Sequence, residues 1–253
     1  MQEACQPIHP ITIILDPELA GITKHGLQKV VYPLERRASI KDILEALGVP
    51  HTEIGEISCQ GTRVGWEYIP APLNRLQVHS ITPPFDVTRP GPLRPDPLPG
   101  LKFICDVNVG KLAVLLRMIG ADVLQENYWD DARIAAEAEQ ERRVVLSRDS
   151  GLLKRKQIKF GRLIRSGDPD RQLKEVVEFF GIQPGPFFIR CLRCNTPLAR
   201  VDKSEIEHRL LPKTKKYFQE FFLCPGCERI YWSGSHMEKM RNRLRSLGLT
   251  PPS

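Results

Sequence analysis

The sequence predicts an α/β protein of successive parts, and three observations support this prediction. Short apolar runs alternate with amphipathic helical patterns along the first 181 residues. A stretch with seven prolines, residues 83–99, interrupts that alternation. Two Cys-x-x-Cys pairs follow, with 29 residues between them. We therefore divide the chain into a first domain (1–82), a proline-rich linker (83–99), a second domain (100–181) and a C-terminal module (182–253).

The first domain has the element order of a β-grasp, or ubiquitin-like, fold. The predicted elements are strands at 11–15, 28–32, 56–60 and 75–79 and a helix at 40–47. Ser39 is a suitable N-cap for that helix, and Gly48 ends it. Carrier proteins of this fold that form conjugates end in an exposed Gly-Gly. This block runs into Ser80-Ile-Thr82 instead, which argues against carrier chemistry.

The second domain alternates strands and helices, which predicts a parallel sheet with helices on both faces. The predicted elements are strands at 101–105, 122–124, 144–146 and 163–164 and helices at 112–119, 132–142 and 172–180. In such folds ligands bind at the carboxyl ends of the strands. Asp106 and Asp149 follow two of these strands, so we expect them at the site.

Several acids at one edge of a sheet repel one another unless a cation neutralises them. Mg²⁺ prefers oxygen ligands and can activate a water for attack on a phosphodiester. Asp106 and Asp149 are the predicted ligands, with Asp130 or Asp131 reaching in from the start of a helix. Asn108 is a candidate to hold a phosphate or a metal-bound water. Ordinary interpretations remain open, since Asp130 and Asp131 are good N-caps and Asp149 suits a turn.

Cations lie close in sequence to both acids. Lys111 and Arg117 fall on or near the helix after Asp106, and the run Lys154-Arg-Lys156 follows Asp149. Such cations are placed where a phosphate backbone would lie. A solvated helical face is the alternative interpretation of the run.

The four paired cysteines predict a structural zinc site. The predicted ligands are Cys191, Cys194, Cys224 and Cys227. Two Cys-x-x-Cys turns can complete a closed tetrahedron of thiolates. His236 is a fifth candidate ligand. Because four thiolates already complete the tetrahedron, we expect His236 to make a structural hydrogen bond or a phosphate contact instead. Tyr231 and Trp232 suit base stacking or the core of the module.

The remaining cysteines indicate a cytoplasmic protein. Cys5, Cys59 and Cys105 are isolated from one another in sequence, and the total of seven is odd, so we expect free thiols. Residues 1–10 lack the pattern of a secretion signal, and no apolar run approaches the length of a spanning helix.

Positive charge is concentrated in the C-terminal module. Residues 182–253 contain 13 Lys and Arg against 6 Asp and Glu, which accounts for the net charge of +7 of the whole chain. A local field of this sign attracts polyanions, of which nucleic acid is the commonest in a cytoplasm. A basic surface that merely favours solubility is the alternative.

Several segments resemble one known family. Residues 103–120, which read Phe-Ile-Cys-Asp-Val-Asn-Val-Gly-Lys-Leu-Ala-Val-Leu-Leu-Arg-Met-Ile-Gly, resemble the opening motif of the PIN-like RNase family named for the C-terminal domain of the Mut-seven exonuclease. Val144-Val-Leu-Ser-Arg148-Asp149 resembles its second motif. The cysteine pairs and the following Ile230-Tyr-Trp-Ser-Gly-Ser-His236 resemble its zinc ribbon. Residues 40–53 are similar to the ubiquitin-like domain often fused to that RNase.

The resemblance implies a PIN-like fold and metal-dependent cleavage of RNA. It implies that Asp106, Asp131 and Asp149 are the acidic positions. Two departures are visible. The family usually has Ala-Arg-Trp where this chain has Ala113-Val-Leu, which removes a cation, and the family's Asn-Gly turn is Gln60-Gly61 here.

We therefore predict a cytoplasmic, divalent-metal-dependent ribonuclease with a zinc ribbon that assists RNA binding. The predicted catalytic residues are Asp106, Asn108, Asp131 and Asp149, and the predicted substrate-binding residues are Lys111, Arg117, Arg148 and Lys154. The expected cofactors are structural zinc and catalytic Mg²⁺ or Mn²⁺. The expected partner is RNA, single-stranded or resembling tRNA or rRNA. A non-catalytic RNA-binding or ribosome-associated adaptor is the alternative, in which the acids are structural.

Overall fold

The computed structural model describes residues 10–250. The predicted mixed α/β fold is confirmed, with a ubiquitin-like sheet, strands paired in parallel and a C-terminal cysteine-containing ribbon. The predicted start of the first domain at residue 1 and the expected free thiol of Cys5 lie outside the described residues. No helix between residues 10 and 250 has the length and apolar content that crossing a bilayer requires.

The ubiquitin-like domain is a five-stranded sheet with one main helix. Its elements are β1 (Ile11–Leu15), α1 (Pro17–Ala20), β2 (Lys29–Tyr32), α2 (Ile40–Ala46), β3 (Ile54–Cys59), β4 (Thr62–Arg63) and β5 (Arg75–Ser80). The strand order is β2-β1-β5-β3-β4, with β1 and β5 parallel and the other pairs antiparallel. The parallel central pair is the mark of a β-grasp sheet, so the predicted plan is confirmed.

Apolar alternation places the core of this domain between the sheet and α2. Ile11, Ile13 and Leu15 are buried along β1, and Ile40 and Ile43 face them from the helix. The predicted N-cap is present, because the side-chain oxygen of the preceding serine accepts a hydrogen bond from the Asp42 N–H. The predicted strand at 56–60 ends one residue early, because the Gln60-Gly61 turn has φ angles of 50° and 83°. Both values are positive, as in a tight hairpin turn.

The second domain alternates strands and helices as predicted. Its elements are β6 (Phe103–Cys105), α3 (Gly110–Met118), β7 (Val123–Leu124), α4 (Asp131–Gln140), β8 (Val144–Ser147), α5 (Ser150–Leu153), β9 (Gly161–Leu163) and α6 (Pro169–Phe180). Strands β6 and β7 pair in parallel, and so do β8 and β9. The short helix α5 was not predicted, and the last strand begins two residues and ends one residue earlier than expected.

The proline-rich stretch 83–99 contains one isolated bridge, between Gly91 and Arg94, and no helix or strand. It is nevertheless tightly packed. Val87, Leu93 and Leu98 are buried. The stretch is therefore a packed strap rather than a free spacer.

The ribbon is a small antiparallel sheet followed by a long helix. Its elements are β10 (Ala199–Val201), α7 (Lys203–Ile206), α8 (Pro212–Tyr217), β11 (Phe221–Leu223), β12 (Ile230–Trp232) and α9 (Ser235–Ser246). Strand β11 lies between β10 and β12. The predicted basic tail is thus largely a helix of 12 residues with arginines in its last turn.

The chain forms two compact units that do not follow the order of the sequence. One contains the residues up to 101 together with 130–163, and the other contains 102–129 together with the residues from 164 onward. The ubiquitin-like domain therefore shares a unit with β8 and β9. The ribbon shares the other unit with β6, α3, β7 and α6.

Candidate metal centres

Four cysteine side chains of the ribbon converge on one point. The sulfur atoms of Cys191, Cys194, Cys224 and Cys227 lie within 4.8 Å of one another. The Cys191 and Cys227 sulfurs are 3.5 Å apart, and those of Cys194 and Cys224 are 3.3 Å apart. Sulfurs around a tetrahedral zinc ion are roughly 3.8 Å apart, so the cluster has the size and the soft donors of a metal site. Among residues 10–250, no other group of three or more His, Cys, Asp or Glu side chains comes this close together.

Each cysteine pair lies in the same type of loop. The residue after each pair, Asn195 or Glu228, has a left-handed backbone, with φ of 68° and 56°. Its N–H donates to the carbonyl of the first cysteine of its pair, at 3.0 Å for Cys191 and 2.8 Å for Cys224. A Cβ at Gly226 would lie 2.6 Å from a threonine hydroxyl of the other loop, so only glycine fits there. Two loops of matching geometry thus present their sulfurs to one ion.

Tyr231 supports the cluster from β12. Its hydroxyl lies 3.1 Å from the Cys191 sulfur and accepts a hydrogen bond from the Leu192 N–H at 3.2 Å. Burial opposes ionisation of Cys191, but hydrogen bonds from Tyr231 and from two backbone N–H groups outweigh burial and lower its pKa to about 6. The thiolate is the form that binds metals. The hydroxyl of Tyr231 therefore serves the cysteine site.

Arg117 was predicted to bind substrate, and its surroundings contradict that role. Only 2% of the residue is exposed. Its Nε donates to the Val123 carbonyl at 2.9 Å, and one terminal nitrogen donates to the carbonyls of Leu192 and Arg193 at 3.0 and 2.8 Å. The last two belong to the first cysteine loop. The guanidinium thus joins helix α3 to the first cysteine loop, and we correct its role to a structural one.

Asn195 makes a second connection between the first cysteine loop and the parallel sheet. Its Oδ1 accepts a hydrogen bond from the Val123 N–H at 3.0 Å, and its Nδ2 donates to Asp122 Oδ1 at 2.8 Å. Arg190 forms an ion pair with the same aspartate at 3.4 Å. The first cysteine loop is therefore built into the unit that contains β6 and β7.

The first predicted acid, Asp106, comes directly after β6. It is buried, and Asn108 Nδ2 donates to its Oδ2 at 2.5 Å. Asn108 and Lys111 are exposed at the start of α3. The carboxyl end of β6 thus presents a carboxylate and an amide side by side, which are ligand types that Mg²⁺ accepts.

The structure separates the roles of the two neighbouring acids before α4. Asp130 caps the helix, since its Oδ1 accepts a hydrogen bond from the Arg133 N–H at 2.8 Å. Asp131 is the first helical residue, and its carboxylate lies 3.9 Å from the Arg155 guanidinium. The ordinary capping role therefore belongs to Asp130. Arg155, in the basic run 154–156, lies near this acid, with 40% of its side chain exposed.

Asp149 follows β8 and caps α5. Its Oδ1 accepts a hydrogen bond from the Gly151 N–H at 2.7 Å, and its own N–H donates to Ser147 Oγ at 2.9 Å. Within the described range, its Oδ2 has no hydrogen-bond partner. Arg148 is exposed, and Lys154 is half-buried at the end of α5. One carboxylate oxygen of Asp149 therefore stabilises the turn that the sequence suggested, and the other belongs to an exposed side chain and is available to a ligand.

A surface groove of about 450 Å³ begins at Asn108. Its polar lining consists of the side chains of Asn108, Lys111, Gln125, Asn127 and Gln172, and no carboxylate lines it. Amide and ammonium groups are donors that suit phosphate and sugar oxygens. The groove therefore extends the Asp106 end of β6 with groups that can hold a nucleotide.

The ubiquitin-like domain contacts β9 through a buried ion pair. Glu53 is 2% exposed, and its Oε2 accepts a hydrogen bond from Arg162 at 2.8 Å while its Oε1 accepts one from the Leu163 N–H at 2.7 Å. Arg162 also pairs with Glu18 at 3.0 Å. A Cβ at Gly161 would lie 2.8 Å from Leu153 Cδ2, so β9 begins at a glycine that allows close packing. The carboxylate of Glu53 is fully engaged.

Arg94 joins the proline-rich stretch to the same interface. It is 8% exposed and donates to the carbonyls of His51, Thr52 and Ile54 at 2.8 to 3.0 Å and to that of Lys159 at 3.2 Å. Burial lowers its pKa to about 10, against the opposing charge of Glu53, so the guanidinium stays protonated at neutral pH. His51 adds a contact of 2.7 Å from its Nε2 to the Ile158 carbonyl.

These interface residues were not predicted from the sequence. Glu53 and Arg162 are 109 residues apart, so no local pattern joins them. One signal was available, because His51 and Glu53 fall in the segment that resembles the family's ubiquitin-like domain. Because that domain is fused to the RNase, polar residues in the segment are candidates for contacts with the RNase sequence.

Comparison with known families decides the assignment. A family model described as the Mut7-C RNAse domain matches residues 101–244, more than half of the chain. The chain belongs to the Mut7-C RNAse family. A second model, the Mut7-C ubiquitin domain, matches residues 11–86 and coincides with the β-grasp sheet. The predicted resemblance is thus confirmed for both parts of this Mut7-C protein. No curated protein and no solved structure gives a significant match.

Proposed function

We propose that this Mut7-C protein is a divalent-metal-dependent ribonuclease that hydrolyses RNA phosphodiester bonds. The observation that carries the proposal is the RNAse family match over residues 101–244, which contain the predicted acids. Asp106 follows β6 and Asp149 follows β8, each at the carboxyl end of a strand in a parallel pair. Ligands of α/β sheets bind at such ends.

We assign the catalytic metal, Mg²⁺ or Mn²⁺, to Asp106, Asp131 and Asp149. Their donors are hard oxygens, which these ions prefer. A bound divalent ion would stabilise charge on the phosphate and favour ionisation of an attacking water. Asn108 orients Asp106 through the hydrogen bond between them. Asp130 is left out because its carboxylate caps α4.

The remaining cations position the substrate. Lys111 lines the groove that starts at Asn108, so we place a phosphate there. Arg148 and Lys154 flank Asp149 in sequence and are assigned to the RNA backbone near it. Arg117 is excluded from this group because its guanidinium is buried.

The cysteine cluster holds zinc in our proposal, and the ribbon assists RNA binding. Four thiolates close the coordination sphere of zinc, so no position is left for a water ligand and the site is structural. The net positive charge of residues 182–253 supplies affinity for phosphates. We propose RNA that is single-stranded or resembles tRNA or rRNA, and a cytoplasmic location, since no described cysteine forms a disulfide.

Cleavage assays with defined RNAs test this proposal. Purified protein is incubated with single-stranded and with structured RNA in the presence of Mg²⁺, Mn²⁺ or EDTA, and the product ends are mapped. We expect cleavage with Mg²⁺ or Mn²⁺ and none with EDTA. Adding back Mg²⁺ or Mn²⁺ after removal of the chelator should restore cleavage. The zinc content is measured in the same samples, so that loss of zinc is not mistaken for loss of the catalytic ion. RNA that is bound but left intact under every metal condition would contradict the proposal and favour the adaptor function.

A further inference from the structure

The stretch Tyr231–His236 lines a pocket that the zinc site does not explain. The pocket measures about 420 Å³ and lies on the ribbon between α8, β12 and the start of α9. Its lining consists of Thr214, Phe218, Ile230, Tyr231, Trp232, Gly234, Ser235, His236 and Met237. Pockets of 300 Å³ or more are in the range of small-molecule and nucleotide sites.

The aromatic walls of the pocket are only partly used by the core. Trp232 packs at ring-centroid distances of 6.4 Å from Phe218 and 6.5 Å from Phe221. Phe221 is buried, whereas Trp232 and Phe218 are half-buried. The two half-buried rings therefore keep part of their surface facing the pocket.

Two further residues of this stretch line the pocket. Gly234 is the N-cap of α9, and a Cβ there would lie 2.8 Å from Trp232 Nε1, so the glycine also leaves room at the edge of the indole. His236 is exposed and makes no hydrogen bond within the described part of the chain. The predicted structural hydrogen bond of His236 is thus absent there.

The charge around the pocket selects its occupant. No carboxylate lines it, and the residues within two positions of its lining in sequence include five Lys or Arg against three Glu, with Lys213 and Lys216 of α8 exposed. The ribbon region as a whole carries 13 Lys and Arg against 6 Asp and Glu. An aromatic pocket in a positive field suits a flat ring attached to a phosphate chain.

We propose that this pocket binds one unpaired base of RNA, stacked on Trp232 and Phe218. The assignment rests on the proposed RNA substrate, to which it adds a base-binding site outside the catalytic acids. The site accepts any base, because every base has a stacking face. Lys213 and Lys216 contact the adjoining phosphates.

Binding of the full chain to a labelled single-stranded RNA 12-mer tests the site, in the Asp106→Asn background so that the RNA stays intact. The variants are Trp232→Leu and Phe218→Leu, and His208→Ala is the control because that histidine is exposed elsewhere on the ribbon. We expect the Kd to rise about 5- to 100-fold in each pocket variant and to stay constant in the control. Zinc content is measured in each variant. If Trp232→Leu loses zinc, the test of the site rests on Phe218→Leu.

A 12-mer in which every base is replaced by an abasic residue gives a readout that needs no variant of the pocket. We expect it to bind more weakly than the intact 12-mer, and we expect this difference in affinity to shrink in Phe218→Leu. Equal affinity for the intact and the abasic 12-mer, equal Kd in the pocket variants, or no RNA binding by the protein with an unchanged pocket at low salt would overturn the inference. If the pocket variants bind RNA more weakly but the wild-type chain cleaves no RNA, the base-binding site is supported and only the proposed ribonuclease activity is contradicted.

Discussion

The two modules flanking the nuclease sequence are attached to it by buried arginines in different ways. In one unit, Arg162 of β9 pairs with the buried carboxylate of Glu53 in the ubiquitin-like domain. In the other, Arg117 of α3 donates to two carbonyls of the first cysteine loop. The first contact is an ion pair between two buried side chains. The second depends on a loop whose shape is set by the metal ligands.

This difference indicates that the two attachments respond to different conditions. The ubiquitin-like interface should persist whenever that unit is folded, because all its partners are protein groups. The ribbon interface should persist only while the cysteines hold their ion, because metal binding and folding of such loops are coupled.

The largest effect is expected from removing a zinc ligand. Cys191→Ser should unfold the ribbon, since structural zinc sites contribute about 10–16 kcal/mol of binding free energy. Metal analysis should show loss of zinc, and hydrogen exchange should show lost protection in residues 190–250 but retained protection in the ubiquitin-like core. Cys59→Ser, outside the cluster, should keep its zinc. Wild-type protein purified without chelator and free of zinc would contradict the assignment.

The next effect breaks the other interface. Glu53→Gln keeps the shape of the side chain but removes the buried counter-charge of Arg162 and leaves it only the partly exposed Glu18, so the free energy of unfolding should fall by about 3 kcal/mol. The matched control is Glu220→Gln, which removes the exposed pair with Arg200 at 3.5 Å and should cost about 0–1 kcal/mol. Denaturant unfolding at constant zinc measures both. Equal losses for the two variants would show that the Glu53 pair is not a special attachment.

A smaller effect should follow from Arg117→Lys, which cannot reproduce the three hydrogen bonds of the guanidinium. Zinc affinity, measured by competition with a chromophoric chelator, should fall about 10- to 100-fold, as for other residues that support metal ligands. Arg193→Lys makes the same change at an exposed position of the first cysteine loop and should have little effect. RNA affinity at saturating zinc should be unchanged in both. A selective loss of RNA affinity in Arg117→Lys would restore the substrate role that its burial contradicts.

The smallest effect concerns the surface of the ribbon. Lys213→Gln and Lys216→Gln should each lower the slope of log Kd against log salt by about 1, because each lysine neutralises one phosphate. Lys24→Gln, in the ubiquitin-like domain, is the control and should leave the slope unchanged. Identical slopes in all three variants would show that RNA does not contact α8.

Most of the fold could be predicted because its elements carry local signals. The alternation Ile11, Ile13, Leu15 fixed the buried face of β1, and Ser39 fixed the start of α2. The cysteine spacing likewise predicted a cluster that the structure confirms. Helix α9 was harder to predict, because Leu244 is its only buried residue among those described and, apart from two methionines, the rest of its sequence is polar.

The attachments between modules could not be predicted, because they depend on pairs far apart in the chain. Arg117 is instructive, since its charge suggested a phosphate contact. Its helical neighbours Leu116 and Met118 are buried, and two of its three carbonyl partners lie about 75 positions later in the sequence. Arg94 was hidden for a similar reason, in a stretch whose prolines indicated a linker. The positive charge of an arginine thus did not predict its role where the guanidinium donates to backbone carbonyls.

The most direct test of the central claim is RNA cleavage by Asp106→Asn and Asp149→Asn, with Asp130→Asn as the control. Asparagine keeps the shape of each acid but removes a charged metal ligand, whereas at position 130 it remains a good N-cap. We predict that cleavage with Mg²⁺ or Mn²⁺ falls by orders of magnitude in the first two variants and persists in the third, while RNA binding persists in all. Unchanged cleavage in Asp106→Asn and Asp149→Asn, in preparations free of contaminating ribonuclease, would contradict the claim.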